Sequence, residues 1–159
     1  MIFVILGTQK FQMNRLLKMI DEYAAGGKAG QRVIAQTGQS DYEPANFEFR
    51  SFFDKAEFDG LIAQADLIIT QGGVGAVMTA LRCRKPVIVV PRLAKYGEHV
   101  DDHQREIAQA LAKKGFVLCC DDGDNLEELI SQCSNRQFPE YVSQVGNITR
   151  IINGYLDGL

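Results

Sequence analysis

The chain has 159 residues, a length typical of one domain with a sizeable core, and 46% of its residues are hydrophobic. Its net charge of −3 and the lack of a dense Lys/Arg block argue against a nucleic-acid-binding protein. The four cysteines form no C-x-x-C pair and only two histidines occur, so we expect no zinc site and reduced thiols in a cytosolic setting.

The beginning of the chain is continuously apolar only over residues 1–6 and has no basic flank. This run is too short for a signal peptide or a membrane span, and it fits a strand that is buried on both faces. We therefore expect a cytoplasmic protein that depends on another molecule for any attachment to a membrane.

Strand and helix patterns alternate along the chain. In chain order they predict a strand at residues 1–6, a helix around 16–23, strands at 32–37 and 47–53, a helix at 55–64, a strand at 66–70, a helix at 73–83, a strand at 87–90, a helix at 100–114, a strand at 116–120 and a helix around 126–130. Apolar residues in the tail recur at helical spacing and predict a further amphipathic helix at residues 137–158.

This order of elements, with short links, predicts an α/β fold: a doubly wound, Rossmann-like parallel sheet in a single domain of residues 1–159. In such sheets, ligands bind outside the carboxyl ends of the strands. The loops after predicted strands one, four and five meet at that edge, so they are the places to look for a site.

The first of these loops is Gly7-Thr8-Gln9. A glycine after a strand lets the backbone turn sharply, and the Thr8 hydroxyl is able to cap the next helix or to donate to a phosphate. The residues alone leave both interpretations open.

The second loop is Gln71-Gly72-Gly73-Val74-Gly75. Bare N–H groups at a helix N-terminus, together with the positive end of the helix dipole, attract a phosphate. The loop is neither a Walker sequence nor a G-x-G-x-x-G motif after strand one. Close packing of the helix on the sheet also requires glycines, and the sequence does not decide between the two roles.

The third loop, PRLAKYGEHVDDHQ at residues 91–104, is dense in polar side chains. Arg92 and Lys95 are candidates for meeting negative charge on a ligand. His99 or Glu98 is a candidate base.

A histidine at the end of this loop stands at helical spacing from apolar neighbours. His103 follows Val100 by three residues and precedes Ile107 by four, which predicts an inward-facing position beside the strand ends. A hydrogen-bonded core histidine and a contact to a sugar or phosphate both fit this position, and Gln104 beside it favours the contact.

Four stretches of the sequence together resemble the C-terminal domain of glycosyltransferase family 28. They are FVILGTQKFQMNRLLK, ADLIITQGGVGAVMTAL, KPVIVVPR and GEHVDDHQREIA. The resemblance is strongest to small single-domain members. These are the soluble subunit of the two-part UDP-N-acetylglucosamine transferase of N-glycan assembly and the bacterial E-type enhancer subunits of capsule and exopolysaccharide synthesis.

The family fold is GT-B, and the resemblance implies that this chain is equivalent to its C-terminal half, which binds the nucleotide-sugar donor. By position, it implies diphosphate contacts at both glycine loops, a base contact at Phe53 and a donor-sugar contact at His103 and Gln104. The predicted substrate-binding residues are Gly7, Thr8, Gln9, Phe53, Gln71, Gly72, Gly73, Val74, Gly75, Thr79, Arg92, His103 and Gln104.

Three positions depart from the family pattern. Gln71 stands where small members commonly have His, and Val74 stands where they commonly have Pro or Thr. Thr79 stands where the wider family has a Glu that binds the ribose. These departures weaken what the resemblance implies about ribose contacts and the choice of donor sugar, and they leave the glycine loops unaffected.

The resemblance implies the donor-binding subunit of a two-part, inverting hexosyltransferase that is active with a membrane-anchored acceptor-binding partner at the cytoplasmic face. It would move a hexose from a UDP-sugar to a polyprenyl-diphosphate-linked sugar in exopolysaccharide or capsule synthesis, without a metal or another cofactor. Two alternatives stay open: a non-catalytic regulatory module that binds a nucleotide sugar, and an enzyme similar to a nucleotide-sugar epimerase.

Overall fold

The computed structural model of the protein describes residues 1–27 and 30–139, in which strands and helices alternate. The strands are β1 (Ile2–Ile5), β2 (Val33–Gln36), β3 (Glu48–Arg50), β4 (Leu67–Thr70), β5 (Val87–Val89) and β6 (Leu118–Cys119). The α-helices are α1 (Asn14–Ala25), α2 (Lys55–Gln64), α3 (Val74–Arg82), α4 (His103–Lys113) and α5 (Leu126–Asn135). From residue 140 onward, the predicted tail helix lies outside the described residues.

The six strands form one parallel sheet in the order β3-β2-β1-β4-β5-β6. The chain builds outward from β1 through β2 to β3, returns to place β4 on the other side of β1, and then continues outward to β6. This doubly wound order confirms the predicted fold class. The direction of winding reverses between β1 and β4, and ligands of such sheets bind at the carboxyl ends of the two strands that flank this point.

The sheet is covered by helices on both faces because successive strand residues point in opposite directions. Phe3 and Ile68 face a core that contains residues of α2, α3 and α4. Val4 and Ile69 face a second core, which contains residues of α1 and α5. The four residues of β1 are at most 1% exposed, as expected for the continuous apolar run at the beginning of the sequence.

The predicted start of α4 is wrong by three residues. The helix begins at His103, and Val100 is 74% exposed instead of contributing to the apolar stripe. The Asp101 carboxylate accepts a hydrogen bond from the His103 N–H at 3.1 Å, and the Asp102 carboxylate accepts one from the Ala94 N–H at 2.9 Å. Aspartate side chains that bond nearby backbone groups in this way compete with helix formation.

Some predicted bounds agree with the structure and others are too long. The bounds of α2 are as predicted, whereas predicted strands 47–53 and 116–120 shorten to three and two residues. Among the described residues, no helix is both long enough and apolar enough to span a bilayer.

Candidate functional site

Three loops contact one another at the carboxyl edge of the sheet. They are the β1 loop (residues 6–13), the β4 loop (71–73) and the β5 loop (90–102). A Cβ atom placed on Gly7 would lie 2.5 Å from Nε2 of Gln71, which joins the first two loops. An Arg92 guanidinium nitrogen donates to the Phe11 carbonyl at 2.8 Å, which joins the first and the third. The structure therefore brings together the three loops that the sequence singled out.

The Gln71 carboxamide lies between the two glycine loops. Its Nε2 atom is 2.5 Å from a Cβ placed on Gly7 and 2.6 Å from a Cβ placed on Gly73, so a side chain at either glycine would collide with it. Gln71 is 3% exposed, and its buried Oε1 atom has no hydrogen-bond partner among the described residues. A buried acceptor without a partner is disfavoured by about 1–3 kcal/mol, and such groups often mark a place where a ligand binds.

Gly72 has a packing role. A Cβ atom at this position would lie 2.8 Å from the Gln104 Cβ and 3.0 Å from the Gln104 carbonyl oxygen. Because a real side chain does not fit so close to backbone, Gly72 allows the first turn of α4 to approach the β4 loop. Here the close-packing interpretation of the glycine applies.

Gly73 and Gly75 leave the beginning of α3 open. Gly73 is the N-cap residue of α3, where no side chain makes a capping hydrogen bond, and no acidic residue lies in the first turn. A Cβ placed on Gly75 would meet nothing within 4 Å. Val74 is half-buried between them. The first turn of α3 thus combines accessible backbone with the positive end of the helix dipole, an arrangement that binds anions.

The β1 loop places accessible polar groups beside this helix end. Thr8 and Gln9 are exposed, and Gly7 is half-buried against Gln71. Gly38, at the end of β2, packs against the other side of Gly7: it has a φ of +59°, and a Cβ there would lie 2.6 Å from the Gly7 carbonyl oxygen. Backbone from three strand ends therefore converges on the point where the winding reverses.

Two predicted residues of the β5 loop are buried in an ion cluster. Arg92 is 1% exposed and Glu98 is 0% exposed. The Glu98 carboxylate accepts hydrogen bonds from Nε and Nη2 of Arg15 at 3.0 and 2.9 Å. Burial by itself would lower the pKa of Arg15. The hydrogen bonds and the charge of Glu98 outweigh burial, so the pKa of Arg15 is raised. Burial lowers the pKa of Arg92, an effect that the Glu98 charge partly offsets.

The two histidines share one carboxylate at the surface of the β5 loop. Nδ1 of His99 lies 3.1 Å from one oxygen of Asp101, and Nε2 of His103 lies 3.7 Å from the other. The His99 ring also packs against Phe11, with 5.6 Å between ring centroids. Both histidines therefore belong to the three-loop surface, and His103 is one-third exposed instead of facing the core as predicted.

Gln104 faces inward and connects two loops. It is 6% exposed, its Oε1 atom accepts a hydrogen bond from the Arg92 N–H at 3.2 Å, and its backbone contacts Gly72. Gln104 thus bonds the β5 loop through its amide and packs against the β4 loop through its Cβ atom and backbone.

Three other candidates lie at the margin of this surface. The Phe53 N–H donates to Gln36 Oε1, and Gln36 Nε2 donates to the Leu6 carbonyl, which ties the end of β3 to the end of β1. The Thr79 hydroxyl bonds a carbonyl inside α3. Lys95 is exposed and pairs with Asp122.

Four further residues of this surface were not predicted as site residues from the sequence: Gln36, Gly38, Arg15 and Asp101. A glycine after the second strand was visible and had the same meaning as Gly7. Arg15 and Asp101 act through partners that only the folded chain reveals.

Among the described residues, no group of three or more His, Cys, Asp or Glu is arranged to hold a metal ion.

Comparisons with known proteins place this chain in a family. The model of the glycosyltransferase family 28 C-terminal domain matches residues 1–143. The UDP-N-acetylglucosamine transferase subunit ALG13 of Cryptococcus neoformans is 38% identical over 76 residues, 46% of this chain and 36% of that protein. ALG13 of Candida albicans is 27% identical over 148 residues, 92% of this chain and 46% of that protein.

A bacterial enzyme is similar over a comparable stretch. The UDP-N-acetylglucosamine--N-acetylmuramyl-(pentapeptide) pyrophosphoryl-undecaprenol N-acetylglucosamine transferase of Prochlorococcus marinus is 37% identical over 94 residues, 57% of this chain and 25% of that enzyme. The chain thus matches between a quarter and less than half of the length of these relatives.

Solved structures show the same fold. The solution structure of ALG13 superimposes with a TM-score of 0.64 at 19% identity, covering 94% of this chain and 93% of that one. Acinetobacter baumannii MurG superimposes with a TM-score of 0.56 at 20% identity, covering 83% of this chain and 40% of that one. Because the family model spans residues 1–143, this chain belongs to the glycosyltransferase family 28 C-terminal domain family.

Proposed function

We propose that this chain is the UDP-sugar-binding subunit of a two-part glycosyltransferase, which moves a hexose to an acceptor linked to a polyprenyl diphosphate. The observation that carries the proposal is the corner between Gly7–Thr8 of the β1 loop and the beginning of α3, which we call the cradle, where the buried Oε1 atom of Gln71 has no partner among the described residues. Membership of the family and the names of the relatives, two UDP-N-acetylglucosamine transferase subunits and one transferase, support it.

In this proposal, the cradle stabilises the leaving group. When the bond between the sugar and the diphosphate breaks, negative charge grows on the diphosphate, and oriented N–H groups stabilise it without having to reorganise. The first turn of α3 and the Thr8 hydroxyl supply such donors. Gln71 contributes its carboxamide beside the glycines, and His103 approaches the sugar from the beginning of α4.

The acceptor hydroxyl also has to lose a proton as it attacks. Of the two candidate bases in this chain, Glu98 is engaged by Arg15, whereas His99 has its Nδ1 beside Asp101 at 3.1 Å. The Asp101 N–H also donates to Nδ1 at 3.4 Å, so the Asp101 segment holds the ring on its Nδ1 side. His99 is therefore our preferred base within this chain, and a group on the partner subunit is the alternative.

The rest of the reaction belongs to the partner. The bacterial relative is named for a pyrophosphoryl-undecaprenol substrate, and the ALG13 proteins are named as subunits. We accordingly propose a membrane-anchored partner that holds the lipid-linked acceptor, recruitment of this chain to the cytoplasmic face, and inversion at the anomeric carbon. Exopolysaccharide or capsule synthesis remains a prediction, since the names of these relatives mention neither.

Two measurements test the proposal. Titration calorimetry with UDP, UDP-glucose, UDP-galactose and UDP-N-acetylglucosamine is expected to show binding by the isolated chain or by its complex. Coexpression with a candidate membrane-anchored partner, followed by assay of sugar transfer to membrane lipid, is expected to show activity only when both proteins are present. Binding without transfer in the complex would instead favour the regulatory module, and no binding in either form would refute the proposal.

A further inference from the structure

Arg92 links two loops from inside the protein. Its Nη1 atom donates to the carbonyls of Phe11 at 2.8 Å and Gln12 at 3.4 Å in the β1 loop, and to that of Glu98 at 3.2 Å in the β5 loop. With 1% of its surface exposed, Arg92 has no room to reach a ligand outside the loops. The geometry therefore differs from that of a phosphate-binding arginine, which presents its guanidinium to solvent.

The charge of Arg92 is offset only in part, because a single carboxylate, that of Glu98, lies beside the two arginines Arg92 and Arg15. Glu98 carries the negative charge, and its Oε1 atom accepts hydrogen bonds from the Leu93 N–H at 3.0 Å and from Nη2 of Arg15 at 2.9 Å. Arg15 lies on α1, directly after the β1 loop, and its Nη2 also donates to the Pro91 carbonyl at 3.1 Å. We call Arg15, Arg92 and Glu98 the loop clasp, because their bonds connect both ends of the β5 loop to the β1 loop and α1.

Burying charged side chains costs desolvation free energy. Hydrophobic residues of similar volume commonly stabilise a fold as well or better, so a cluster of this kind calls for a role beyond stability. The three side-chain hydrogen bonds of Arg92 all come from Nη1, and its buried Nε atom has no partner among the described residues. Two of the three acceptors are carbonyls of the β1 loop, whose first residues include Gly7 and Thr8 of the cradle.

We propose that Arg92 is a positioning residue that fixes the β1 loop in the conformation that binds the donor diphosphate. If the loop is already ordered before the ligand binds, binding does not lose the conformational entropy of ordering it, and affinity is higher. Arg92 thus acts on the ligand through backbone carbonyls four to five residues along the chain from Gly7. This role in donor binding rests on the function proposed above, whereas the ordering of the loop does not.

The test compares four variants of the full chain, in complex with its partner where one is needed for solubility. Arg92→Met removes the hydrogen bonds and the charge, Arg92→Lys keeps the charge, and Glu98→Gln removes the compensating charge. Ile130→Ala is the matched control, since Ile130 is buried in α5 and bonds none of the loops; the variant loses stability by leaving a cavity.

Hydrogen exchange is measured for peptides that cover residues 7–13, and UDP affinity is measured by calorimetry. We expect Arg92→Met to exchange faster in this segment and to bind UDP about tenfold more weakly, with Arg92→Lys and Glu98→Gln in between. Ile130→Ala is expected to lower the melting temperature while leaving the local exchange and the UDP affinity as in the unmodified protein.

Other results of the exchange and affinity measurements would overturn the role of Arg92 or the proposed function. If Arg92→Met and Ile130→Ala show the same exchange in residues 7–13, the loop clasp is ordinary packing and the proposal fails. If Arg92→Lys binds UDP as well as the unmodified protein while its loop exchanges faster, the charge and not the loop order sets affinity, which also overturns it. If the unmodified protein does not bind UDP, the proposed function fails, and hydrogen exchange still decides whether Arg92 orders the loop. Should Arg92→Met not fold, Arg92→Lys and Glu98→Gln decide by the same criteria.

Discussion

Adjacent glycines in the β4 loop have different neighbours, and so they have different roles. A side chain on Gly72 would press on the backbone of Gln104, whereas one on Gly73 would press only on the end of the Gln71 side chain. Backbone resists displacement and a side-chain amide does not. The packing interpretation that the sequence left open therefore applies to Gly72, and Gly73 stays a proposed ligand-binding position.

Alanine substitutions are expected to separate these roles. Gly72→Ala should destabilise the protein by about 1–3 kcal/mol, because the first turn of α4 has to move. Gly73→Ala, whose backbone has φ −70° and ψ 129°, should change stability by less than about 1 kcal/mol and weaken UDP binding by pushing Gln71 into the cradle. Gly60→Ala, in the open interior of α2, is the control and should stabilise by up to about 1 kcal/mol.

Urea denaturation and UDP calorimetry on the three variants check this prediction. The ligand-binding role of Gly73 would be disproved by Gly73→Ala protein that binds UDP with unchanged affinity. Equal destabilisation by Gly72→Ala and Gly73→Ala would show that both glycines serve packing alone.

Replacement of Gln71 by methionine is expected to exchange function for stability. The substitution keeps the length of the side chain and removes Oε1, the buried acceptor without a described partner. Relief of its desolvation penalty should raise the free energy of unfolding by about 1 kcal/mol, while UDP affinity falls. Chemical denaturation with and without UDP measures both effects, and a less stable variant with unchanged affinity would show that the amide is structural.

At the scale of whole elements, the sequence predicted what depends on local pattern. Apolar runs and helical spacing located every described strand and α-helix, and the bounds of α2 agree. The start of α4 was wrong because Asp101 and Asp102 bond backbone N–H groups outside the helical pattern. Strands β3 and β6 are short because they lie at the two edges of the sheet, where the number of paired residues depends on a single neighbour.

In the candidate site too, features set by local sequence were predictable and features set by distant contacts were not. The glycines after strands were readable from the sequence because a turn between a strand and a helix has local requirements. The burial of Arg92 and Glu98 was not readable, since it depends on Arg15, a residue 83 positions from Glu98. Charged residues in a loop usually face water, and only tertiary contacts show that these two do not.

A carboxylate on α1 is expected to make the stability of this element depend on pH. Asp21 is 5% exposed and accepts hydrogen bonds from Tyr42, Ala45 and Asn46 in the loop before β3. Burial alone would raise the pKa of Asp21, but these donors outweigh burial and lower it. Since the folded pKa lies below the unfolded value of about 3.9, the stabilisation is complete above that pH and is lost as the pH falls through the folded value.

Asp21→Asn should therefore destabilise the protein by about 1–3 kcal/mol at pH 7, and the difference from the unmodified protein should shrink below about pH 4. Urea denaturation at pH 7 and at pH 3 measures this change. Asp59→Asn removes an exposed pair with Lys55 and serves as the control, with an expected effect below about 0.5 kcal/mol. A difference for Asp21→Asn that stays constant between the two pH values would rule out the carboxylate as its source.

On the scale of the whole molecule, the topology explains why one edge of the sheet carries the site. All strands are parallel, so every loop that follows a strand lies on the same side. The reversal between β1 and β4 separates the helices that follow these two strands to opposite faces, since α1 packs in one core and α3 in the other. The topology thus brings the beginning of α3 and the β1 loop, which form the cradle, to either side of the Gln71 side chain.

A series of uridine nucleotides is expected to reveal which part of the ligand this cradle holds. If the beginning of α3 and the β1 loop bind the diphosphate, affinity should increase from uridine through UMP to UDP, with UDP at least about tenfold tighter than uridine. Because a ligand of the folded state stabilises the whole domain, the melting temperature should rise in the same order, by about 2–4 °C for each kcal/mol of binding. Inorganic pyrophosphate separates charge from base recognition, and a shift as large as that of UDP would show that Phe53 and its surroundings contribute little. Equal affinities for uridine and UDP would contradict a diphosphate site at the reversal point, since the added phosphates would then have gained nothing from the helix dipole and the bare backbone amides.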